Sequence, residues 1–520
     1  MNTAVFGFMC EKMKRDNSNV TFYCLLGGLI FLHLCLFNSV RIYPSTDLPA
    51  HLAEATIYKH AQESSNQLNE YYPLRLYPFA TVFHIVFMGS KIFPSVELAN
   101  RIFHSLYIIC LPLSILLLIL KLNGNKWFAF LSLLFLYNNG FSWGNTAFLF
   151  SMPFIFFFVY LSINHMEQDR LWLSIGLSLL LMFIYTIHYL SSCFCVFILL
   201  IMAVSNHKKS GIWLLKKMLI IIPVLVMIYL CSRVFYGQDI GRYFYDYYIT
   251  NYFLNNSDAN LALRLREFLV MDNYVLFWPG LGDNIALCFS VFIIGLLING
   301  YKNYHKQGYK KSPVHLKFIL PLIACAFFCF FFLPSKVPGN EYVYQRFPSI
   351  LWLSLIIWGS LYYTNVSRRK ILVIFSVCVI YLLLWGHHLT AFDRENNSLG
   401  PDFFPEHKQN KILTGLMFDA YQGRFPYYLH FPNYYIVWKQ GITSTQLLKW
   451  RFLGFNNNSP RNPLPPYDSG INRHIKFNAK NLDVDYLLIR GNIQQDHAAY
   501  IDKHFRILRQ AGQWSLYQRL

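Results

Sequence analysis

YPFATVFHIVFMGSKIF, residues 77–93, is apolar enough to pass for a membrane span, and its placement decides how the rest of the chain is threaded. His84 interrupts it, and Lys91 and Pro94 close it. On either side, apolar runs occupy approximately 20–40, 103–120, 127–138, 147–163, 171–188, 190–204, 218–235, 284–300, 317–333, 347–364 and 371–388. Most have the length an α-helix needs to cross roughly 30 Å of hydrocarbon at about 1.5 Å per residue. Strands of a membrane barrel would instead alternate apolar and polar residues.

The basic residues between these runs fix the threading. Lys12, Lys14 and Arg15 precede the first run; Lys121 and Lys126, Lys208, Lys209, Lys216 and Lys217, Lys302, Lys306, Lys310 and Lys311, then Arg368, Arg369 and Lys370 lie in later loops. Basic short loops stay cytoplasmic. All of these clusters do so only if 77–93 does not cross; as a full span it would turn every later cluster outward. The segment therefore reads as an interfacial or re-entrant helix at the outer surface. The expected fold is a membrane all-α, polytopic helical bundle of about eleven transmembrane helices. The run at 127–138 is short and leads into YNNGFSWGN at 137–145, an Asn/Gly loop expected to fray its outer end.

The composition agrees with a lipid solvent: of 520 residues, 55% are hydrophobic and only 14% charged, where a soluble domain carries about 25% charge. The net charge of +19 is scattered in loop clusters instead of forming one patch, which argues against nucleic-acid binding. All eleven Cys precede residue 389 and most sit in apolar runs, so neither a disulfide framework nor a zinc site is legible. The first apolar run lacks a small-residue cleavage site and is read as an uncleaved anchor. From Leu389 the composition turns to Pro, Asn, Asp and Tyr; DVDYLLIRG at 483–491 reads as a strand ending in a turn, IQQDHAAYIDKHF as a helix and WSLYQ as a strand. Residues 1–388 are thus expected to form the transmembrane domain, with an outer loop at 41–102, and residues 389–520 a small C-terminal α/β extracytoplasmic domain.

The outer loop opens with RIYPSTDLPAHLAEATIY at 41–58. Thr46 or Asp47 can cap a helix, and Pro49 suits its first turn. Asp47, His51 and Glu54 then share one helical face by their spacing. The alternatives are a cap with a solvated face and, less favoured, a metal site from Asp, His and Glu for which no fourth ligand is visible. A second set is cationic: Arg233 and Arg242 around VFYGQDIGRYFYDYYITNYF, Lys336 in the next outer loop, and Arg346 in NEYVYQRFP. Arginines at the outer ends of spans bind phosphate, and they also anchor in headgroups. His188, in FIYTIHYLSS, is a polar residue in an apolar run, a place where such residues tend to be functional. No P-loop, Rossmann glycine pattern, HExxH or GxSxG occurs, so no cofactor is expected.

In the order and placement of these segments the chain resembles the GT-C superfamily of polytopic glycosyltransferases. The likeness lies in a cytoplasmic N-terminus, one span, and a long outer loop with an acidic residue just after it, here Asp47 in STDLPAHLAEA. YPLRLYPF, GSKIFPSVELANRIFHSLY, WGNTAFLFSMPFIFFFVYL, IHYL, YQRFPSILWLSL and the closing DVDYLLIRG and HFRILRQAGQWSLYQ are similar to family segments. Two departures matter: Asp47 is followed by Leu48, which leaves a single carboxylate, and NNGFSWGN has no Asp or Glu, unlike the metal-dependent oligosaccharyltransferase branch.

The resemblance implies transfer of a sugar from a polyprenyl-monophosphate carrier to an acceptor hydroxyl of a glycan, lipid or protein at the outer face, with inversion and without a metal. Asp47 would be the base; Arg346, with Arg233, Arg242 or Lys336, would hold the phosphate; His51, Glu54 and His188 would contact substrate. A lipid-linked sugar flippase or transporter is the rival class, although the duplicated helix pattern and mid-membrane charges expected of one are not seen. An acyltransferase using His188 or the His387/His388 pair, and a non-catalytic assembly protein, are further rivals. The expected setting is a bacterial inner membrane with the C-terminal domain periplasmic; the sequons at Asn255, Asn396 and Asn457 would then lie outside.

Overall fold

A computed structural model describes residues 2–60, 63, 68–72, 81–168, 170–205, 211–236, 261–271, 281–306, 316–337, 340–341, 343–363, 365–406, 411–443, 484–493 and 495–520. In chain order its helices are α1 (Asn2–Ser39), α2 (Leu48–His60), α3 (Leu68–Tyr71), α4 (Phe83–Met88), α5 (Val96–Lys121), α6 (Asn139–Trp143), α7 (Thr146–Glu167), α8 (Leu171–Ile187), α9 (Tyr189–Ser205), α10 (Gly211–Met218), α11 (Ile222–Tyr236), α12 (Leu261–Arg266), α13 (Leu281–Lys306), α14 (Leu316–Phe332), α15 (Pro348–Ser360), α16 (Arg368–Glu395), α17 (Tyr434–Lys439) and α18 (Gln495–His504).

The protein is mostly helical. Among the described residues, five helices are long and apolar enough to cross a membrane: Asn19–Ser39 of α1, and all of α5, α7, α13 and α16. α8, α9 and α14 are apolar but shorter. The expected count of about eleven is therefore not reproduced by helix length. α5 and α7 pack together at the centre. The outer helices turn large apolar side chains outward, among them Phe31, Leu179, Phe197, Val291, Leu372 and Leu383. Such a surface is costly in water and suited to lipid.

One of the expected spans takes an unexpected form, and the 77–93 segment holds no helix long enough to cross among the described residues. The 127–138 run is not an α-helix but a 3-10 helix over Lys126–Phe135, with Phe128–Phe135 buried against α5, α15 and α16. Its N-terminus is capped by Asn125, whose side chain accepts from Trp127 N–H at 3.2 Å. The described part of 77–93 contains only α4, whose six residues rise about 9 Å, too little to cross a bilayer; residues 77–80 lie outside the described residues.

α16 runs past Leu389 to Glu395 and clamps the chain leaving α1. Asp393 accepts from the backbone N–H of Arg41 and Ile42 at 3.0 and 2.9 Å, and the Arg41 guanidinium donates to the Leu399 carbonyl at 2.7 Å. Beyond it lies a five-stranded mixed sheet of β3 (Ile412–Met417), β4 (Ile442–Thr443), β5 (Tyr486–Arg490), β6 (Phe505–Ala511) and β7 (Trp514–Arg519), in the order β4-β3-β5-β7-β6. (A separate two-residue ladder before α15 pairs β1, Lys336–Val337, with β2, Asn340–Glu341.) β3 pairs in parallel with β4 and β5, and β7 runs antiparallel to β5 and β6. α18 makes the crossover from β5, which ends at Gly491 with φ +84°.

One face of this sheet packs onto α2. Ala53, Ile57, Tyr71 and Tyr72 share a core with Ile412, Leu416, Leu487 and Ile489, and Tyr72 exchanges hydrogen bonds at 2.9 Å with both the N–H and the carbonyl of Thr443. The guanidinium of Arg490, only 2% exposed, lies 3.5 Å from the Tyr428 ring centroid and pairs with Glu395 at the end of α16. Arg424 pairs with Asp283 at the start of α13, so the sheet unit is fastened to the bundle at several points.

Candidate functional site

The first turn of α2 sets the site. Asp47 stands at its N-cap position, where its carbonyl accepts from the N–H of Ala50 and His51 at 3.0 and 3.1 Å. The preceding chain is held by α6: Thr46 N–H donates to the Ser142 carbonyl at 2.9 Å and Asp47 N–H to the Trp143 carbonyl at 3.2 Å. Gly144 ends α6 in a left-handed conformation, φ +81°. A Cβ there would stand 2.7 Å from Asp47 N and 2.9 Å from Asp47 Cβ, so only glycine allows the two segments to meet this closely.

The Asp47 carboxylate keeps 21% of its side chain exposed. Facing it is His430, from the C-terminal segment, with Nε2 3.5 Å from Oδ1. Trp143 and Phe425 meet edge to face beside this contact. Burial pushes the hydroxyl of Tyr427, which also interacts with Ser142 on α6, above the ordinary phenol range, so it stays neutral.

One turn further along α2, His51 and Glu54 are buried. His51 Nε2 lies 3.1 Å from the Gly144 carbonyl, Nδ1 lies 3.1 Å from Glu54 Oε2, and His84 Nε2 on α4 lies 3.2 Å from the same Nδ1. A carbonyl only accepts, so His51 carries a proton on Nε2.

A second pair sits at the turn between α8 and α9. Arg346, on the 3-10 turn Tyr344–Arg346 ahead of α15, donates to His188 Nε2 at 2.9 Å. Guanidinium has no acceptor, so His188 Nε2 accepts from it, while His188 Nδ1 faces Ser191, 2.9 Å from its Oγ and 3.3 Å from its backbone N–H. Ser191 Oγ in turn lies 2.6 Å from Ser151 Oγ. Phe148, on α7, packs against both His188 and Phe347. The Arg346 turn packs against α6, and the α8–α9 turn meets the α4 segment through Val82 N–H to the Thr186 carbonyl at 3.2 Å. α6 and α4 therefore tie the Asp47 and Arg346 groups to one end of the bundle.

Of the residues singled out in the sequence, Asp47, His51, Glu54, His188 and Arg346 are placed by the structure. Arg242 and the side chains of Arg233 and Lys336 lie outside the described residues. His84, Gly144 and His430 belong to the same region but had not been assigned roles. In the sequence His84 shows only as a polar interruption and Gly144 only as part of an Asn/Gly loop, and nothing marks His430. Comparison with protein-family models and with curated proteins gives no match for this sequence.

Proposed function

We propose that the protein is a GT-C type glycosyltransferase moving a sugar from a polyprenyl-phosphate carrier to an acceptor hydroxyl at the outer face of a membrane, with about eleven membrane passes, a cytoplasmic N-terminus and an extracytoplasmic C-terminal domain. The observation that carries the reading is a partly exposed carboxylate, Asp47, held by α6, the same short helix on which the Arg346 turn packs.

In this reading the acceptor oxygen attacks the anomeric carbon and its proton passes to Asp47. The bond between that carbon and the phosphate oxygen breaks, and polyprenyl phosphate leaves from the opposite face, inverting the configuration. A base must lie within hydrogen-bond reach of the proton it takes, and His430 orients the carboxylate that does so. Arg346, with its His188 contact fixing one edge of the guanidinium, stabilises charge gathering on the departing phosphate. Arg233, Arg242 and Lys336 are further candidates for that role.

His188 favours this assignment over an acyltransferase reading, because its Nε2 already accepts from Arg346 and is not poised as a base. The test is incubation of the purified full chain with a polyprenyl-phosphate sugar labelled in the sugar and a mixture of envelope glycan and lipid acceptors. Release of carrier phosphate with label on an acceptor supports the reading; intact donor throughout, in protein that remains folded, overturns it.

A further inference from the structure

We propose that His51, Glu54 and His84 form a zinc site that pins α4 to α2. It does not rest on the transferase reading.

The three side chains come from two elements and converge on one point. His51 and Glu54 are three residues apart on α2, which puts them on one face, and His84 comes from the first turn of α4. His51 Nδ1, a Glu54 carboxylate oxygen and a His84 ring nitrogen all lie within 4.8 Å of one another. Two of the separations are 3.1 and 3.2 Å. Ligands about 2.0–2.1 Å from a tetrahedral zinc stand about 3.3 Å apart, the scale of these two separations, and the third lies within 4.8 Å. The two imidazole planes cross at 88°, so the rings do not stack and both can direct a nitrogen at one centre.

Because the Gly144 carbonyl accepts from His51 Nε2, Nδ1 is the ring nitrogen turned to both Glu54 and His84, and it is the one that would bind a metal. A single Nδ1 proton could serve only one of these neighbours well, whereas a cation satisfies all three donors together. The Gly144 carbonyl then supplies what metal-bound histidines regularly have, an acceptor for the other ring N–H that fixes tautomer and orientation.

Two nitrogens and one carboxylate oxygen suit Zn2+ better than Mg2+ or Ca2+, which take oxygen sets. All three side chains are buried, His51 at 3%, Glu54 at 0% and His84 at 1% exposure. Three protein ligands leave a fourth tetrahedral position for water or a substrate atom. The sequence shows no fourth ligand beside Asp47, His51 and Glu54; the structure groups His84, from α4, with His51 and Glu54 instead.

The full-length protein, purified in detergent, stripped with chelator and returned to Zn2+, is expected to hold about one zinc per chain by mass spectrometry of the metal, and Co2+ in its place is expected to give the visible bands of a tetrahedral site. His84→Ala and Glu54→Gln are expected to weaken Zn2+ binding at least about ten-fold, while His60→Ala, at the outer end of α2, leaves it unchanged. Refolded or natively purified wild-type chain that takes up no zinc overturns the site whatever the variants do, and so does a folded His84→Ala protein that keeps wild-type affinity.

Discussion

His430 Nε2 lies 3.5 Å from Asp47 Oδ1, although the two residues belong to opposite ends of the chain. The C-terminal segment thus does more than cover the bundle. It sets a histidine against the carboxylate that begins α2, and replacing that histidine is a direct way to ask whether the contact matters. His430→Ala is expected to lower turnover about ten-fold, the scale of losing one polar contact to a charged group, with the donor KM little changed. Steady-state transfer rates check this; wild-type turnover would mean that His430 only packs.

Arg346 is expected to tolerate lysine poorly. Its guanidinium donates to His188 and has further N–H groups to present to phosphate, whereas a lysine ammonium is a single point charge. Arg346→Lys should raise the donor KM by roughly ten-fold or more, a loss of about 1.5–3 kcal/mol, and His188→Phe should do the same more mildly by releasing the arginine. Titration with polyprenyl phosphate measures both effects.

Gly144→Ala is expected to destabilise the protein by more than the roughly 1 kcal/mol of a positive-φ glycine alone, because the new Cβ would stand 2.7 Å from Asp47 N. The fall in melting temperature should be accompanied by a loss of activity larger than that of a replacement at Gly176, where a Cβ meets nothing within 4 Å.

Much of this region was legible in the sequence, and the rest was hidden for identifiable reasons. Asp47, Pro49, His51 and Glu54 are neighbours on one helix, so spacing alone groups them. No spacing rule joins His84 to His51 or His430 to Asp47, since those contacts are made by packing of α4 and of the C-terminal loop onto α2. The run at 127–138 is apolar throughout, and without a polar face periodicity cannot tell a 3-10 helix from an α-helix. β5 was readable because β-branched and aromatic residues precede a glycine at positive φ; β3, ILTGLM, is buried on both faces and too short to announce itself.

Arg490 provides a test of how the sheet is fastened to the bundle. It is 2% exposed, stacked on Tyr428 and paired with Glu395 at the end of α16. Arg490→Ala removes the charge partner and the ring contact together and should cost about 3 kcal/mol, near the low end for a broken buried pair because Glu395 remains partly solvated. Arg490→Met, which keeps the packing volume, should cost less. Thermal melting and protease sensitivity of the C-terminal unit report the difference.

The central claim turns on one carboxylate. Asp47→Asn keeps the shape of the side chain and removes its capacity to take a proton, so the variant should insert and melt like the wild type while sugar transfer from a labelled polyprenyl-phosphate donor falls by at least about a hundred-fold, the scale of lost general-base catalysis. Near-normal transfer by a folded Asp47→Asn protein would contradict the assignment of Asp47 as the base.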